Sequence, residues 1–287
     1  PILFWVVTPI IFWSYKNNMI ENTLAVIVLL SVYFLVKGLK KRDILYQIIG
    51  GLLILAAVWT KGLVGLFPLA VILVYYISFR EFSFLKAVVL TTLVFLVVIG
   101  AFFILTLLDS GFMEYVDSYL KHQLLPSLKG EREVTTSSRL WILGRLIMEL
   151  SLPILMAIIA MIHYKRINQS QVQGRVIFFL LIGVCSSVPL IVTHQQRGYY
   201  LVMSLPFYLI GIGFWVLPFV RDLIPRISER KKAIFKWSSM LMLAGSIVFC
   251  ITQFNGYSRD ESRLKDLAKI DQIMGEERLL SCSEELY

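Results

Sequence analysis

Apolar residues run along the chain in long blocks that short polar segments separate. A helix that crosses a bilayer needs about 20 mostly apolar residues, with roughly 17 to 25 as the usual range. Measured in this way, the pattern predicts about nine transmembrane helices, the first of them cut short. The candidate spans are residues 1–15, 20–36, 44–60, 62–79, 84–108, 140–163, 176–193, 198–219 and 234–254. We therefore expect an all-α polytopic membrane protein with its transmembrane domain over residues 1–254.

The connection over residues 109–139 is much longer than the others, and long ordered loops tend to carry a function. Its apolar residues recur at the spacing of one helix face, and polar residues lie opposite them. The apolar residues are Phe112, Tyr115, Val116 and Tyr119, and the polar ones are Asp117, Lys121 and His122. This pattern predicts an interfacial helix on the outer membrane surface. A purely structural connector explains the same pattern equally well.

The tail from Asn255 is rich in charged residues and differs in composition from the rest of the chain. Leu267, Ile270 and Met274 keep helical spacing up to Gly275, and glycine is typical of the position after a helix. We expect residues 255–287 to form a short external helix that opens a small soluble domain. Because the sequence starts inside an apolar run and stops inside a polar one, we expect it to be a fragment.

Composition excludes an ordinary soluble domain, because 57% of the residues are hydrophobic and only 16% are charged, against about a quarter charged in soluble proteins. The net charge of +9 would favour nucleic acid in a soluble protein. Here, however, basic residues gather in alternate loops, where the positive-inside rule accounts for them. The basic segments are 37–42, 80–86, 165–175 and 221–236. They are expected to face the cytoplasm, and no nucleic-acid partner is expected.

Charged residues also lie at the external ends of predicted spans. A charge near hydrocarbon costs free energy, so such residues usually have a structural or functional role. They are Glu21, Lys61 and Arg197. A helix N-terminus explains Glu21, and snorkelling to the headgroups explains Lys61. Taken together with Tyr200, they would place a carboxylate and two cations on one face, which suits phosphate binding and proton transfer. Arg145 and Glu149 are four residues apart, and we expect them to form an intrahelical ion pair.

Three motifs, in this order, resemble those of the GT-C glycosyltransferases. They are the acidic Glu21 before Leu24, the Thr60-Lys61-Gly62 turn followed by Gly65 and Pro68, and the run Gln196-Arg197-Gly198-Tyr199-Tyr200-Leu201 followed by Leu205-Pro206. The chain is most similar to glycosyltransferase family 39 and its bacterial relatives, the protein mannosyltransferases and aminoarabinose transferases. The resemblance covers approximately residues 15–219.

The resemblance implies a transfer of sugar from a polyprenyl-phosphate donor, undecaprenyl phosphate in bacteria, to a lipid or protein acceptor. It implies a catalytic role for Glu21 and contacts with the donor phosphate for Lys61, Arg197 and Tyr200. The general-base Asp of the family is expected upstream of this chain. Gln195 stands where relatives often carry a Lys, so Arg197 is the local cation.

In the long external loop, the resemblance implies a further phosphate contact from Arg132 or Arg139. Lys121 and His122 are candidates for binding the acceptor or a metal, since relatives carry a loop histidine there. The requirement for a divalent metal, the sugar and the acceptor stay open at this point.

The sequence thus predicts a polyprenyl-phosphate-sugar-dependent glycosyltransferase of the bacterial inner membrane, with its active face in the periplasm and a role in lipopolysaccharide or protein glycosylation. The alternatives are a transporter or flippase of lipid-linked sugars, a polymerase or ligase of them, and a scaffold without catalysis. A transporter is expected to carry ionisable residues or broken helices near the bilayer midplane. In this chain the charges gather at the outer edge.

Overall fold

The computed structural model describes residues 2–108, 111–126, 138–163, 170–192, 196–252 and 261–274. The described residues are helical or lie in turns, and none of them is in a strand. The chain divides into two compact units, Pro1–Arg226 and Ile227–Tyr287. The boundary that the sequence predicted, at residue 254, falls within the second unit.

The first unit contains ten described α-helices and several shorter helical turns. The α-helices are α1 Ile2–Val6, α2 Pro9–Lys16, α3 Ile20–Lys41, α4 Ile44–Lys61, α5 Val71–Phe79, α6 Phe84–Leu108, α7 Gly111–Tyr119, α8 Trp141–His163, α9 Ser170–Ser187 and α10 Leu205–Leu223. The 3₁₀ helices are Gly62–Ala70, Val188–Ile191, Gly198–Met203 and Ile224–Arg226, and Leu120–Leu124 is a π-helical turn. The second unit contains α11 Glu229–Thr252 and α12 Glu261–Met274. The helix stop predicted at Gly275 lies outside the described residues.

Six helical segments of the described chain are long and apolar enough to cross a membrane, so the protein is a multi-pass membrane protein. They are Ile20–Lys41, Ile44–Phe79, Phe84–Leu108, Trp141–Ile159, Val172–Ile191 and Leu205–Asp222. The predicted count of about nine is not confirmed. In place of the predicted span 1–15, the described residues form two short helices, Ile2–Val6 and Pro9–Lys16, because the chain leaves helical geometry at Thr8 before Pro9. The predicted span 234–254 falls largely in α11, which is not among the six.

The segment Ile44–Phe79 folds back on itself at Gly62, so it is a hairpin and not one long rod. Gly62 has φ of 73°, a left-handed conformation that side chains disfavour. A Cβ placed on Gly65 would lie 2.5 Å from the carbonyl carbon of Ala57, which shows that the 3₁₀ helix packs directly on the backbone of α4. The turn therefore lies at Lys61 and Gly62, between the predicted runs 44–60 and 62–79.

Polar side chains hold α3 and α4 together inside the apolar core. The Ser31 hydroxyl donates to the carbonyl of Gly50 at 2.9 Å, and the Gln47 amide donates to the carbonyl of Leu35 at 3.1 Å. All four residues are buried. Interhelical hydrogen bonds of this kind stabilise helix pairs in membranes, where water offers no alternative partner. The pairing fixes the register of α3 against α4 and so the position of both helix ends.

Replacement of Gly65 tests the hairpin. Gly65→Ala should destabilise the protein by about 1–3 kcal/mol, since the added methyl group meets backbone that cannot yield. The control is Gly100→Ala in α6, where an added Cβ meets no heavy atom within 4 Å. The measurement is unfolding in detergent micelles, followed by circular dichroism. Equal stability of the two variants would contradict the close approach of the hairpin arms.

Candidate functional site

A buried ion pair between Glu21 and Lys61 lies at the shared end of α3 and α4. Glu21 is in the first turn of α3 and is 2% exposed, and its Oε1 pairs with Nζ of Lys61, the last residue of α4. Each charge also suits its helix end, because an anion is stabilised at an N-terminus and a cation at a C-terminus. The antiparallel arrangement of the two helices thus brings together two residues that are 40 positions apart.

Two tyrosines of the 3₁₀ helix Gly198–Met203 cover this pair. Nζ of Lys61 lies 4.0 Å from the ring centroid of Tyr200 and 5.8 Å from that of Tyr199. Both distances fall within the range of cation–π attraction. Arg197 donates from Nη1 to the Tyr199 hydroxyl at 3.2 Å. The structure therefore brings four of the predicted residues into one cluster, which consists of Glu21, Lys61, Arg197 and Tyr200 and is here called the Lys61 cluster.

Glu21 has a second carboxylate oxygen that the described protein leaves without a hydrogen-bond partner. Its Oε2 is buried, whereas Oε1 accepts from Lys61. A buried polar atom without a partner is costly, and such atoms are uncommon in native proteins. The free lone pairs of Oε2 can accept a hydrogen bond from a hydroxyl group that enters the cluster.

A cavity of about 440 Å³ adjoins the Lys61 cluster through Tyr199. Cations and aromatic rings share its wall, and Trp13 stacks on Tyr199 with 5.7 Å between ring centroids. The lining residues are Pro9, Ile10, Trp13, Trp141, Arg145, Arg197, Gly198 and Tyr199. Two arginine side chains in one aromatic-walled cavity favour an anionic ligand that also has a flat or apolar part.

The predicted ion pair of Arg145 with Glu149 is confirmed, with 2.6 Å between Nη2 and Oε1. The other oxygen of Glu149 accepts from the backbone N–H of Ile10 at 3.2 Å, so the pair also anchors α2 to α8. From the sequence, Arg145 was assigned only this structural role, and its place in the cavity wall was missed. In addition, Nε of Arg145 is buried and has no hydrogen-bond partner among the described residues.

Gln196 joins the loop of Arg197 to the start of α8, and the sequence did not single it out. Its Oε1 accepts from the N–H of Ile142 at 3.0 Å, and its Nε2 donates to the carbonyls of Arg139 at 2.6 Å and Leu190 at 3.2 Å. It is 2% exposed. A helix N-terminus has unpaired N–H groups, and a buried one needs such an acceptor. Gln196 therefore holds in place the helix that presents Arg145.

A smaller apolar cleft of about 130 Å³ lies beside Lys61, at Gly62. α7 forms one wall, since Phe112 packs edge-on against Trp59 and Phe102 at centroid distances of 4.8 and 5.1 Å. Phe112 is 7% exposed. A Cβ on Gly62 would lie 1.9 Å from the Tyr119 hydroxyl. The helix predicted in the long loop thus exists, and it packs on the turn that carries Lys61.

The other predicted site residues lie elsewhere in the described chain or outside it. Lys121 and His122 are exposed on the π-helical turn, where Lys121 pairs with Asp117 at 2.7 Å. Arg139 is exposed in the turn before α8. Arg132 lies outside the described residues. Across the described ranges, no three His, Cys, Asp or Glu side chains group as metal ligands would.

Comparison of the chain with models of protein families, with curated proteins and with solved structures finds no match in any of the three. The resemblance of the three motifs therefore remains an expectation. What the protein does has to be inferred from the residues of the Lys61 cluster and the two cavities beside it.

Single and double substitutions test the ion pair. Glu21→Gln alone should cost about 2–3 kcal/mol of stability, because it leaves the mostly buried Lys61 cation without its partner. The double variant Glu21→Gln with Lys61→Met should regain most of this loss. The control is Asp222→Asn, which breaks the exposed pair with Arg226 and should cost less than about 1 kcal/mol. Additive losses in the double variant would contradict a coupled pair.

Burial raises the pKa of Tyr200 to about 12, an effect that Tyr199 strengthens and Arg197 opposes. The phenol of an unfolded chain titrates near pH 10. Because the folded pKa is the higher one, the stability that Tyr200 contributes is complete below about pH 10 and is lost as the pH rises through about 12. The absorbance titration of the native protein minus that of Tyr200→Phe should show one phenol titrating near pH 12. After denaturation the same difference should move to about pH 10.

Proposed function

We propose that this protein is a membrane-embedded glycosyltransferase that takes its sugar from a polyprenyl-phosphate donor and passes it to a lipid or protein acceptor. The observation that carries the proposal is the Glu21–Lys61 pair, which lies beside a cavity with two arginines. The second, buried oxygen of its carboxylate has no hydrogen-bond partner among the described residues. On this proposal the site faces the periplasm of a bacterial inner membrane, in line with the distribution of basic loops.

The two cavities match the two parts of such a donor. A sugar phosphate needs cations for the phosphate and a wall for the sugar ring, and Arg145, Arg197 and Trp13 supply these in the larger cavity. A prenyl chain needs an apolar surface, and the cleft at Gly62 has apolar walls that could hold the part of the chain next to the phosphate. Lys61 lies between these features, since it precedes Gly62 and contacts the ring of Tyr199. Its position suits the junction of lipid and phosphate.

The proposed reaction is a displacement at the anomeric carbon. The hydroxyl oxygen of the acceptor attacks this carbon, and the bond from carbon to phosphate oxygen breaks, so the polyprenyl phosphate leaves with the electron pair. The configuration at the carbon is inverted. The hydroxyl proton passes to a general base, for which the family resemblance expects an Asp upstream of residue 1. Glu21 Oε2 accepts a hydrogen bond from the same hydroxyl and orients it.

The role of the cations is electrostatic. Negative charge accumulates on the phosphate oxygens as the bond to the sugar breaks, and groups fixed in advance around this charge lower the barrier most. Lys61 is fixed by Glu21 on one side and by the ring of Tyr200 on the other. Arg145 is likewise fixed by Glu149. Neither cation needs to reorganise when the leaving group develops its charge.

Lys61→Ala should lower sugar transfer about a hundredfold, the usual effect of losing one such contact. The measurement is transfer of radiolabelled sugar from a panel of undecaprenyl-phosphate donors into membrane lipid and protein, with the full-length protein in proteoliposomes. Lys16→Ala is the control, because Lys16 is an exposed cation near the same end of α3. Transfer that Lys61→Ala leaves intact would remove Lys61 from the site.

Binding of the lipid carrier, undecaprenyl phosphate, distinguishes the loss of a binding site from a folding defect. The double variant Glu21→Gln with Lys61→Met leaves the net charge of the Lys61 cluster unchanged, so it should fold and yet bind fluorescent undecaprenyl phosphate at least tenfold more weakly. Binding of undecaprenol, which has no phosphate, should be equally weak in the parent protein and in the variant. If the parent moves the donor lipid across vesicles without transferring sugar, the protein is a transporter.

A further inference from the structure

A second cavity, of about 560 Å³, lies at the end of α3 and α4 opposite the Lys61 cluster. It is formed where α3 ends, α4 begins and the hairpin returns from α5 to α6. At 1.5 Å per residue, the 22 residues of α3 separate the two ends by about 33 Å. A ligand bound there therefore does not share the site described above, and the inference does not depend on the proposed function.

The cavity carries a net positive charge, because three cations and two carboxylates line it. Its carboxylates are already engaged: Asp43 accepts from the N–H of Leu45 at 2.9 Å, and Glu81 accepts from the hydroxyl of Tyr75 at 2.7 Å. Three cations also line it, namely Lys40, Arg42 and Lys86. Among the described residues, none of the three forms an ion pair within 4 Å. They are available to an anion.

Gln47 adds a requirement for a hydrogen-bond donor. Its Nε2 donates to the carbonyl of Leu35 at 3.1 Å, which fixes the orientation of the amide. Its Oε1 is then left buried with no partner among the described residues, although the side chain is 4% exposed and lines the cavity. The amide packs closely on Gly38, because a Cβ there would lie 2.7 Å from Nε2. A hydroxyl or amine of a ligand could donate the hydrogen bond that this oxygen lacks.

We propose that this cavity binds the headgroup of a glycerol-bearing anionic phospholipid, the phosphatidylglycerol class. The phosphate would lie among Lys40, Arg42 and Lys86, and a headgroup hydroxyl would donate to Gln47 Oε1. Basic pockets between transmembrane helices bind anionic headgroups in this way.

An apolar groove next to the cavity fits the acyl chains of the same lipid. It runs along α3 past Leu30, Tyr33 and Val36, has Phe179 and Ile210 on its far side, and has a volume of about 700 Å³. Lys40 lines both the groove and the headgroup cavity, so the two are adjacent. Lys37 also lines the groove, and its Nζ lies 4.5 Å from the ring centroid of Tyr46. An apolar groove beside a basic cavity favours a lipid over a free phosphate ester.

The test is native mass spectrometry of the full-length protein in micelles with equimolar phosphatidylglycerol, phosphatidic acid and phosphatidylcholine. The parent should retain phosphatidylglycerol in preference to both other lipids. Arg42→Gln with Lys86→Gln should lower its retention about tenfold, since two cations near the phosphate are lost. Gln47→Met should abolish the preference for phosphatidylglycerol over phosphatidic acid, which has no headgroup hydroxyl, while retention of phosphatidic acid stays the same.

A charge-matched control is Lys231→Gln with Lys236→Gln, two exposed cations of the second unit. A loss equal to that of the cavity variant would mean that net charge alone attracts the lipid, and the proposal would be wrong. An unchanged lipid preference in Gln47→Met would also overturn it. If free glycerol 3-phosphate displaces the lipid at equal concentration, the ligand of the cavity is a soluble phosphate ester and the lipid assignment fails.

Discussion

A buried charge in a membrane protein must be compensated within the protein, and the Glu21–Lys61 pair is the point where this constraint acts most strongly. The pair can form only if α3 begins where α4 ends, so it fixes the antiparallel packing of the two helices. It also fixes the place of the 3₁₀ helix that follows Arg197, because Tyr200 lies against the Lys61 ammonium. The cavity beside the cluster and the cleft at Gly62 exist because these elements meet at one charged centre.

Polar residues elsewhere in the first unit are also paired within the protein, and burying these uncharged groups costs less free energy than burying a charge. Ser31 and Gln47 bond to the backbone of the facing helix, and Gln196 accepts from an N–H of α8 that would otherwise be unpaired. Each bond joins two different elements of the fold, so each defines a tertiary position as well as satisfying an atom. Two carbonyl-type oxygens stay without a partner in the described chain, on Glu21 and Gln47. Gln47 lines a cavity, and Glu21 belongs to the Lys61 cluster, which a cavity adjoins through Tyr199.

The sequence predicted the parts of the fold that hydropathy determines. Runs such as 20–36 and 84–108 are helices, because an uninterrupted apolar stretch has no other stable form in lipid. The turn at Lys61 and Gly62 was also predicted, since a charge followed by glycine interrupts such a run. The break at Thr8 was missed, although Pro9 stands at the start of the new helix. The roles of Arg145, Trp13 and Gln196 could not be predicted from the sequence, because each depends on contacts between residues that are far apart in the chain. The bond between Glu149 and Ile10 is one such contact.

The packing around Gly62 limits which residues this position can accept. Two separate demands meet at this position: a backbone angle that favours glycine, and a space already filled by the Tyr119 hydroxyl. A second mutation that trimmed Tyr119 would relieve the collision and leave the backbone strain of roughly 1–3 kcal/mol untouched. No single suppressor can therefore repair a substitution at Gly62. A protein that keeps this hairpin and this loop helix together is therefore held to glycine at this position.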